Sequence, residues 1–205
     1  NDWKKSELKF YEAMSDLEFL PSIPVLANAG REMQQLGACF VLPVPDDLGG
    51  IFESVKQMAL IQKSGGGTGF SFSQLRPEGS IVADTGGMAS GPVSFMKVFD
   101  SATGAIKEGG IRRGANMGVL RADHPDIEKF VNSKRDGGLQ NFNISVAMTD
   151  DFMLAVKKNK DYLVINPYTR EKTMKNARFI FNLICENAHY NGDPGVIFID
   201  RINKK

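Results

Sequence analysis

Between Leu36 and Asp200 the chain alternates between two kinds of segment, and no other feature narrows its possible folds as much. Short apolar or β-branched runs, "LGACFVLPV", "GFSFS", "ANMGVLR", "FNISVAM" and "VIFID", are separated by longer runs with helical spacing. In "DDLGGIFESVKQMALIQK" the residues Ile51, Val55, Met58, Ala59 and Gln62 fall on one helical stripe, and the aspartates stand ahead of the first turn, where the helix dipole favours them. "GPVSFMKVFDSATGAIK" has Pro92 in its first turn, and Thr149 caps "DDFMLAVKK". "HPDIEKFVNSK" and the stretch from Lys175 to Tyr190 complete the helices, and "YLVINPYTREKT" reads as a small excursion turning near Asn166 and Pro167. Strands separated by helices pair in parallel through right-handed crossovers, so an α/β sheet or barrel is expected. "LGACFVLPV" and "VIFID" read as buried strands.

An amphipathic segment, Lys4 to Phe19, precedes this pattern and stops near Pro21, so residues 1–20 read as a helical lead-in and 21–205 as one body without an internal boundary. With 42% hydrophobic residues in 205, the chain can bury a core. A formal net charge of +1 leaves no electrostatic case for coating nucleic acid or a membrane surface. No apolar run approaches the roughly 18 residues of a membrane span, and a cytoplasmic location is expected. Two cysteines, Cys39 and Cys185, exclude a disulfide scaffold and a cysteine-rich metal site. Each reads either as a small buried hydrophobe or as a redox group.

Several segments have the chemistry of nucleotide sites. The turn "SGGGTGF", Ser64 to Phe70, can bring backbone N–H groups against a phosphate, or it can be a tight structural turn. It lacks the Lys-Ser/Thr of a P-loop, and it precedes a strand rather than opening a helix. Arg76 follows "FSFSQL" and can fork onto a phosphate or stand solvated. Asp46 and Asp47 suit a helix start or a ribose hydroxyl equally well. In "EGGIRRGA", Arg112 and Arg113 lie between glycines, an arrangement with an ordering cost that a structural turn has no reason to carry. His124 and His189 read as groups flanking helix ends, and neither has a partner at metal-ligand spacing.

Taken together, "LGACFVLPVPDDLGGIFESVKQMALIQKSGGGTGFSFSQLRPEGS", "TGGMASGPVSFMKVFD", "KEGGIRRGANMGVL", "HPDIEKFV", "NFNISVAM" and "NGDPGVIFIDRIN" resemble the large catalytic chain of ribonucleotide reductases, in particular the adenosylcobalamin-dependent class II enzymes. The resemblance runs from about Pro21 to Asn203. It implies the first five-stranded parallel half of a ten-stranded α/β barrel. It implies a reaction in which ribonucleotides become 2′-deoxyribonucleotides by radical chemistry, with adenosylcobalamin and an external dithiol reductant.

By the same resemblance Cys39 is the first cysteine of the redox pair, and Ala38, Cys39, Gly67 and Arg112 line the substrate site. Asp46, Asp47, Leu48 and Arg76 hold a deoxynucleoside triphosphate effector, beside a loop from Pro77 to Thr85. Gly109, Gly110, Ile111, Arg112, Arg113 and Gly114 form the specificity loop that carries the effector's identity to the substrate base. A homodimer through the helices near Leu48–Lys63 and Pro92–Lys107 is implied, and Cys185 is expected in the core.

The sequence departs from the family pattern in two places. Ile23 and Val25 stand where the family has hydroxyl residues for the substrate phosphate. The Asn-Pro-Cys-Gly-Glu motif of the radical cysteine is absent from the 205 residues, so a C-terminal half of the barrel is the expected partner. The competing expectation is a stand-alone deoxynucleotide-binding regulatory module without catalysis.

Overall fold

The computed structural model describes residues 2–32, 34–82, 86–108 and 112–204. The chain divides into two compact units, residues 1–38 and 39–205. The first holds helices α1 (Asp2–Ser15) and α2 (Ile23–Asn28), neither of which buries a residue. The expected lead-in ended at residue 20, whereas the segment 21–38 groups with the helices before it.

The second unit begins with β1 (Cys39–Leu42), α3 (Leu48–Lys63), β2 (Gly67–Ser71) and α4 (Gly91–Ala105). A two-residue ribbon, β3 (Lys107–Glu108) with β4 (Arg112–Arg113), leads into β5 (Asn116–Arg121) and α5 (Ile127–Asn132). Then come β6 (Phe142–Met148), α6 (Asp150–Lys158), the hairpin β7 (Asp161–Ile165) and β8 (Lys172–Asn176), α7 (Ala177–Asn191), β9 (Gly195–Phe198) and α8 (Ile199–Asn203). Five strands form one parallel sheet in the order β1-β2-β5-β6-β9. Spatial order follows chain order, so each right-handed crossover carries its helices to the same face.

That face is the core. Phe70, Leu120, Phe142, Ile144 and Val146 point from the strands onto Ile51 and Met58 of α3 and Met96 and Phe99 of α4, all of them buried. The ring of Phe99 stands edge-on to Phe70 at 4.8 Å and to Phe72 at 5.5 Å between centroids. Truncating it removes the ring on which sheet and helix meet. Phe99→Ala is expected to lower the unfolding free energy by about 3–5 kcal/mol, read as a shift in the urea midpoint with little change in slope.

The other face is open toward its β1 side, whereas Ser145 and Ala147 of β6 on that face are buried. In register, Cys39 lies beside Gly67 and Val41 beside Gly69, which in turn neighbours Met117 and Asn143. Cys39 and Asn143 are exposed, and Val41 is 86% exposed. A parallel sheet is ordinarily covered on both faces. This one presents a cysteine, glycines and small polar groups on the second.

Two strands expected to be buried are instead edges. β1 and β9 each pair on one side only, and the apolar Val41, Val196 and Phe198 pack against nothing that would bury them. Their composition matches a covered strand, and none of the described residues covers them. Cys185, expected in the core, is exposed. The buried stripe of α7 is Ala177, Ile180, Ile184 and Asn187, and Cys185 lies one residue, about 100° of helix, beyond it. The excursion near Asn166 is the β7–β8 hairpin, and Asn166 Oδ1 accepts the N–H groups of Tyr168 and Thr169. Among the described residues, no helix is long and apolar enough to cross a membrane.

Candidate functional site

The residues singled out in the sequence fall at the two opposite ends of the parallel strands. At the C-terminal end, where ligands of α/β sheets gather, Asp46, Asp47, Leu48 and Arg76 line one cavity of about 540 Å³. Arg76 is fixed there by Asp46, which accepts the backbone N–H of Arg76 at 3.0 Å and its Nε–H at 2.8 Å, while Nη2 reaches the Asp46 carbonyl at 3.3 Å. The guanidinium carbon stands 4.2 Å from the Tyr168 ring centroid. The planar fork is therefore held on three sides, and its remaining Nη donors have no partner among the described residues. That is the arrangement of an anion clamp whose orientation is set before the anion arrives.

Asp47 has a different job. Its Oδ1 accepts the Gly50 N–H at 2.7 Å as the cap of α3, so the helix-start reading of that aspartate holds, and Asp46 is the one committed to Arg76. Leu48, the first residue of α3, is exposed beside the cavity. The first turn of α4 borders the same space through Ser90 and Gly91, so two helix N-termini, each partly positive, face it. Gly91 has φ +73°, and a Cβ there would lie 2.7 Å from Asp126 Oδ2 and 2.8 Å from the Glu78 nitrogen that bonds this carboxylate. Only glycine lets α4 start so close to the Arg76–Glu78 segment. A second cavity of about 770 Å³ shares Asp46 and Tyr168 and continues past the Arg121–Asp123 pair.

His124 supports this end from beneath. It is buried, its Nε2 donates to the Leu75 carbonyl at 2.9 Å, and its Nδ1 accepts the Asp126 N–H at 3.0 Å. Both nitrogens are used by the neutral ring. Burial lowers its pKa below the ordinary 6.5, against the opposing pull of the Leu75 carbonyl and of Asp126 and Asp123. A lowered histidine pKa means that the unfolded chain takes up the proton first, so stability is complete above about pH 6.5 and falls as pH drops toward the folded value. The urea midpoint is expected to decline between pH 7 and pH 5.5, and His124→Gln is expected to flatten that decline. Sequence reasoning placed His124 at a helix end; it joins the residue before Arg76 to the start of α5.

At the N-terminal end of the strands, Cys39 is exposed on the open face with Gly67 as its register partner, and Ala38 precedes it, also exposed. Gly109, Gly110 and Ile111 lie outside the described residues, as do Ala83, Asp84 and Thr85 of the Pro77–Thr85 loop. The backbones of Arg112 and Arg113 pair with Glu108 and Lys107 in the β3–β4 ribbon, which returns the chain to buried Gly114 and β5. The two groups of residues are thus separated by the length of α3, 16 residues or about 24 Å. The described residues contain no cluster of His, Cys, Asp and Glu able to hold a metal ion.

Two elements escaped the sequence. Tyr168 stacks on Arg76 from a hairpin far along the chain, and nothing local marks it. A buried polar cluster around Gln62 was foreshadowed only by a glutamine on the apolar stripe of α3.

Comparison with known proteins agrees with this architecture. Residues 37–205 match the family described as "Ribonucleotide reductase, barrel domain", and residues 1–34 match "Ribonucleotide reductase, all-alpha domain". The chain is 55% identical over 96% of its length to a vitamin B12-dependent ribonucleoside-diphosphate reductase of Thermoplasma acidophilum, and 47% identical over 96% to one of Mycobacterium tuberculosis. It is 36% identical over 88% to a vitamin B12-dependent ribonucleotide reductase of Streptomyces avermitilis. It spans 26%, 29% and 21% of those proteins, about a quarter of their length. A five-stranded parallel sheet with its helices on one face, matched along its whole length by the barrel domain, establishes that the chain belongs to the large-subunit family of ribonucleotide reductases.

Proposed function

We propose that this chain supplies half of the catalytic barrel of an adenosylcobalamin-dependent reductase that converts ribonucleoside diphosphates to 2′-deoxyribonucleoside diphosphates. The observation that carries the proposal is the open sheet face, where Cys39 stands exposed beside Gly67 on a surface a parallel sheet does not leave bare. The other half of the barrel would cover that face and extend the unpaired edges β1 and β9. The glycines beside Cys39 leave room for a ribose against the strands, as Val41 and Met117 would not.

The chemistry that Cys39 can perform is thiol oxidation. Replacing the 2′-hydroxyl by hydrogen takes two electrons. Two cysteine thiols give them up with two protons, a disulfide bond forms, the C2′–O bond breaks, and the oxygen leaves as water. Cys39 is one of the two, and the family resemblance puts the other in the remaining half of the barrel. The external dithiol then reduces the disulfide. The names of the relatives support adenosylcobalamin as the source of the radical. Neither cavity described lies at the Cys39 end of the strands, so no residue of this chain is assigned to hold that cofactor and no step is routed through it.

Asp46, Arg76 and the start of α3 serve as the effector site for a deoxynucleoside triphosphate, with Arg76 on its phosphates. The segment Gly109–Gly114, with Arg112 toward the substrate, serves as the specificity loop. Gly114, the described end of that segment, lies about 24 Å from Arg76 along α3, a separation that favours a second copy as the source of the effector. The exposed Leu48, Phe52 and Leu60 on α3 suit an antiparallel pairing with a second copy. In that homodimer the loop of one protomer meets the effector of its partner.

The test is to assemble the chain with the C-terminal portion of a B12-dependent relative, adenosylcobalamin, dithiothreitol and each ribonucleoside diphosphate. Deoxynucleotide is expected, with a substrate preference that changes with the deoxynucleoside triphosphate added. A folded assembly without product contradicts the proposal.

A further inference from the structure

Four polar side chains meet where α3, α4, β2 and β5 converge: Gln62, Thr68, Thr103 and Asn116, each buried. Gln62 Nε2 donates to Asn116 Oδ1 at 2.9 Å and approaches the hydroxyls of Thr68 and Thr103 at 3.3 Å. Thr68 donates to Asn116 Oδ1 at 2.7 Å, Asn116 Nδ2 donates to Thr103 Oγ1 at 2.7 Å, and the Thr103 hydroxyl turns to Met58 Sδ at 3.4 Å. These bonds fix which way the Gln62 amide faces, since its nitrogen is the atom the acceptors need. A buried network of this kind is rigid only while every member is satisfied.

One atom is not. Gln62 Oε1 is buried without a partner among the described residues. It faces Gly114, where a Cβ would lie 2.9 Å from Oε1 and 2.8 Å from Thr103 Cγ2. A free acceptor is therefore pressed against the Gly114 backbone across a contact too tight for any side chain. On its other side the cluster ends at Thr68, next to Gly67, the register partner of Cys39.

We propose that Gln62 is a positioning residue that couples the segment entering β5 at Gly114 to the substrate edge at Gly67 and Cys39, its amide, pressed on the Gly114 backbone, carrying nucleotide-linked shifts of α3 and α4 to both. This rests on the nucleotide-site reading above. A displacement of either helix is carried to the strand through the amide rather than absorbed in apolar packing. Coupling between sites requires a second arrangement of this segment, and a buried acceptor left without a partner is what such an arrangement would satisfy.

The experiment is hydrogen exchange by mass spectrometry on the 205-residue chain, with and without each of the four common deoxynucleoside triphosphates. In the wild type the bound nucleotide is expected to slow exchange at residues 46–50 and to change it about tenfold or more at residues 114–118. Gln62→Met keeps the length and removes the amide. Its nucleotide affinity and the response at 46–50 are expected to persist, while the response at 114–118 falls below about twofold. Thr68→Val, which removes a single hydroxyl donor, gives the same pattern and serves if the first variant does not fold. A role in packing alone would raise exchange equally with and without nucleotide and leave the response at 114–118 intact, which overturns the proposal. So does a wild type whose 114–118 segment ignores a bound nucleotide. A wild type that binds none of the four overturns the effector-site reading and this inference with it.

Discussion

Cys39→Ser, in the assembled reductase, is expected to lose deoxynucleotide formation under turnover by about a thousandfold or more, while the binding of deoxynucleoside triphosphate stays unchanged. The size of the loss follows from the electron count. A serine hydroxyl is nearly the shape of the thiol but cannot form half of a disulfide, so the two electrons that remove the 2′-oxygen have no source. Binding is preserved because Cys39 sits at the N-terminal end of β1, whereas Asp46 and Arg76 lie past the C-terminal ends of β1 and β2. Chromatography of the nucleotide products and calorimetric titration of the effector read the two halves of this prediction separately. Equal loss of both would mean that the substitution damaged the fold.

The second large effect is at the other end. Arg76→Ala is expected to weaken deoxynucleoside triphosphate binding about ten- to a hundredfold, the equivalent of roughly 1.5–3 kcal/mol for hydrogen bonds to a charged group. Two changes act together. The free Nη donors are lost, and Asp46, now without its partner, leaves a bare carboxylate facing the phosphates. Arg76→Lys restores charge but not the fork that Asp46 and Tyr168 hold in place, so it recovers affinity only in part. Calorimetry on the chain measures both variants. Undiminished binding by Arg76→Ala would remove that arginine from the effector site.

Much of the fold was legible because the alternation of strand and helix leaves few topologies, and every strand of the parallel sheet lies within a segment quoted from the sequence. What misled was composition at the edges. β1 and β9 carry the apolar residues of covered strands, so they read as buried although none of the described residues covers them. Periodicity reports what a strand needs, not whether the chain in hand provides it. The site was legible unevenly for a similar reason. Asp46 and Arg76 are 30 residues apart and stood out as separate candidates, but their mutual clamp and the Tyr168 ring beneath it exist only once β1, β2 and the β7–β8 hairpin are brought together. Asp46 and Asp47 look alike in sequence. One oxygen of Asp47 is spent on the Gly50 N–H, and that distinction arises from the start of α3.

Single turnover reads whether the ribose is reduced on the open face of this sheet, with Cys39 and a second thiol together supplying the electron pair. The assembled, prereduced reductase is stripped of external dithiol, given one ribonucleoside diphosphate, quenched, alkylated and mapped by mass spectrometry. One disulfide containing Cys39 is expected for each deoxynucleotide formed, with Cys185 still free to alkylate. Deoxynucleotide formed while Cys39 remains a thiol would contradict it.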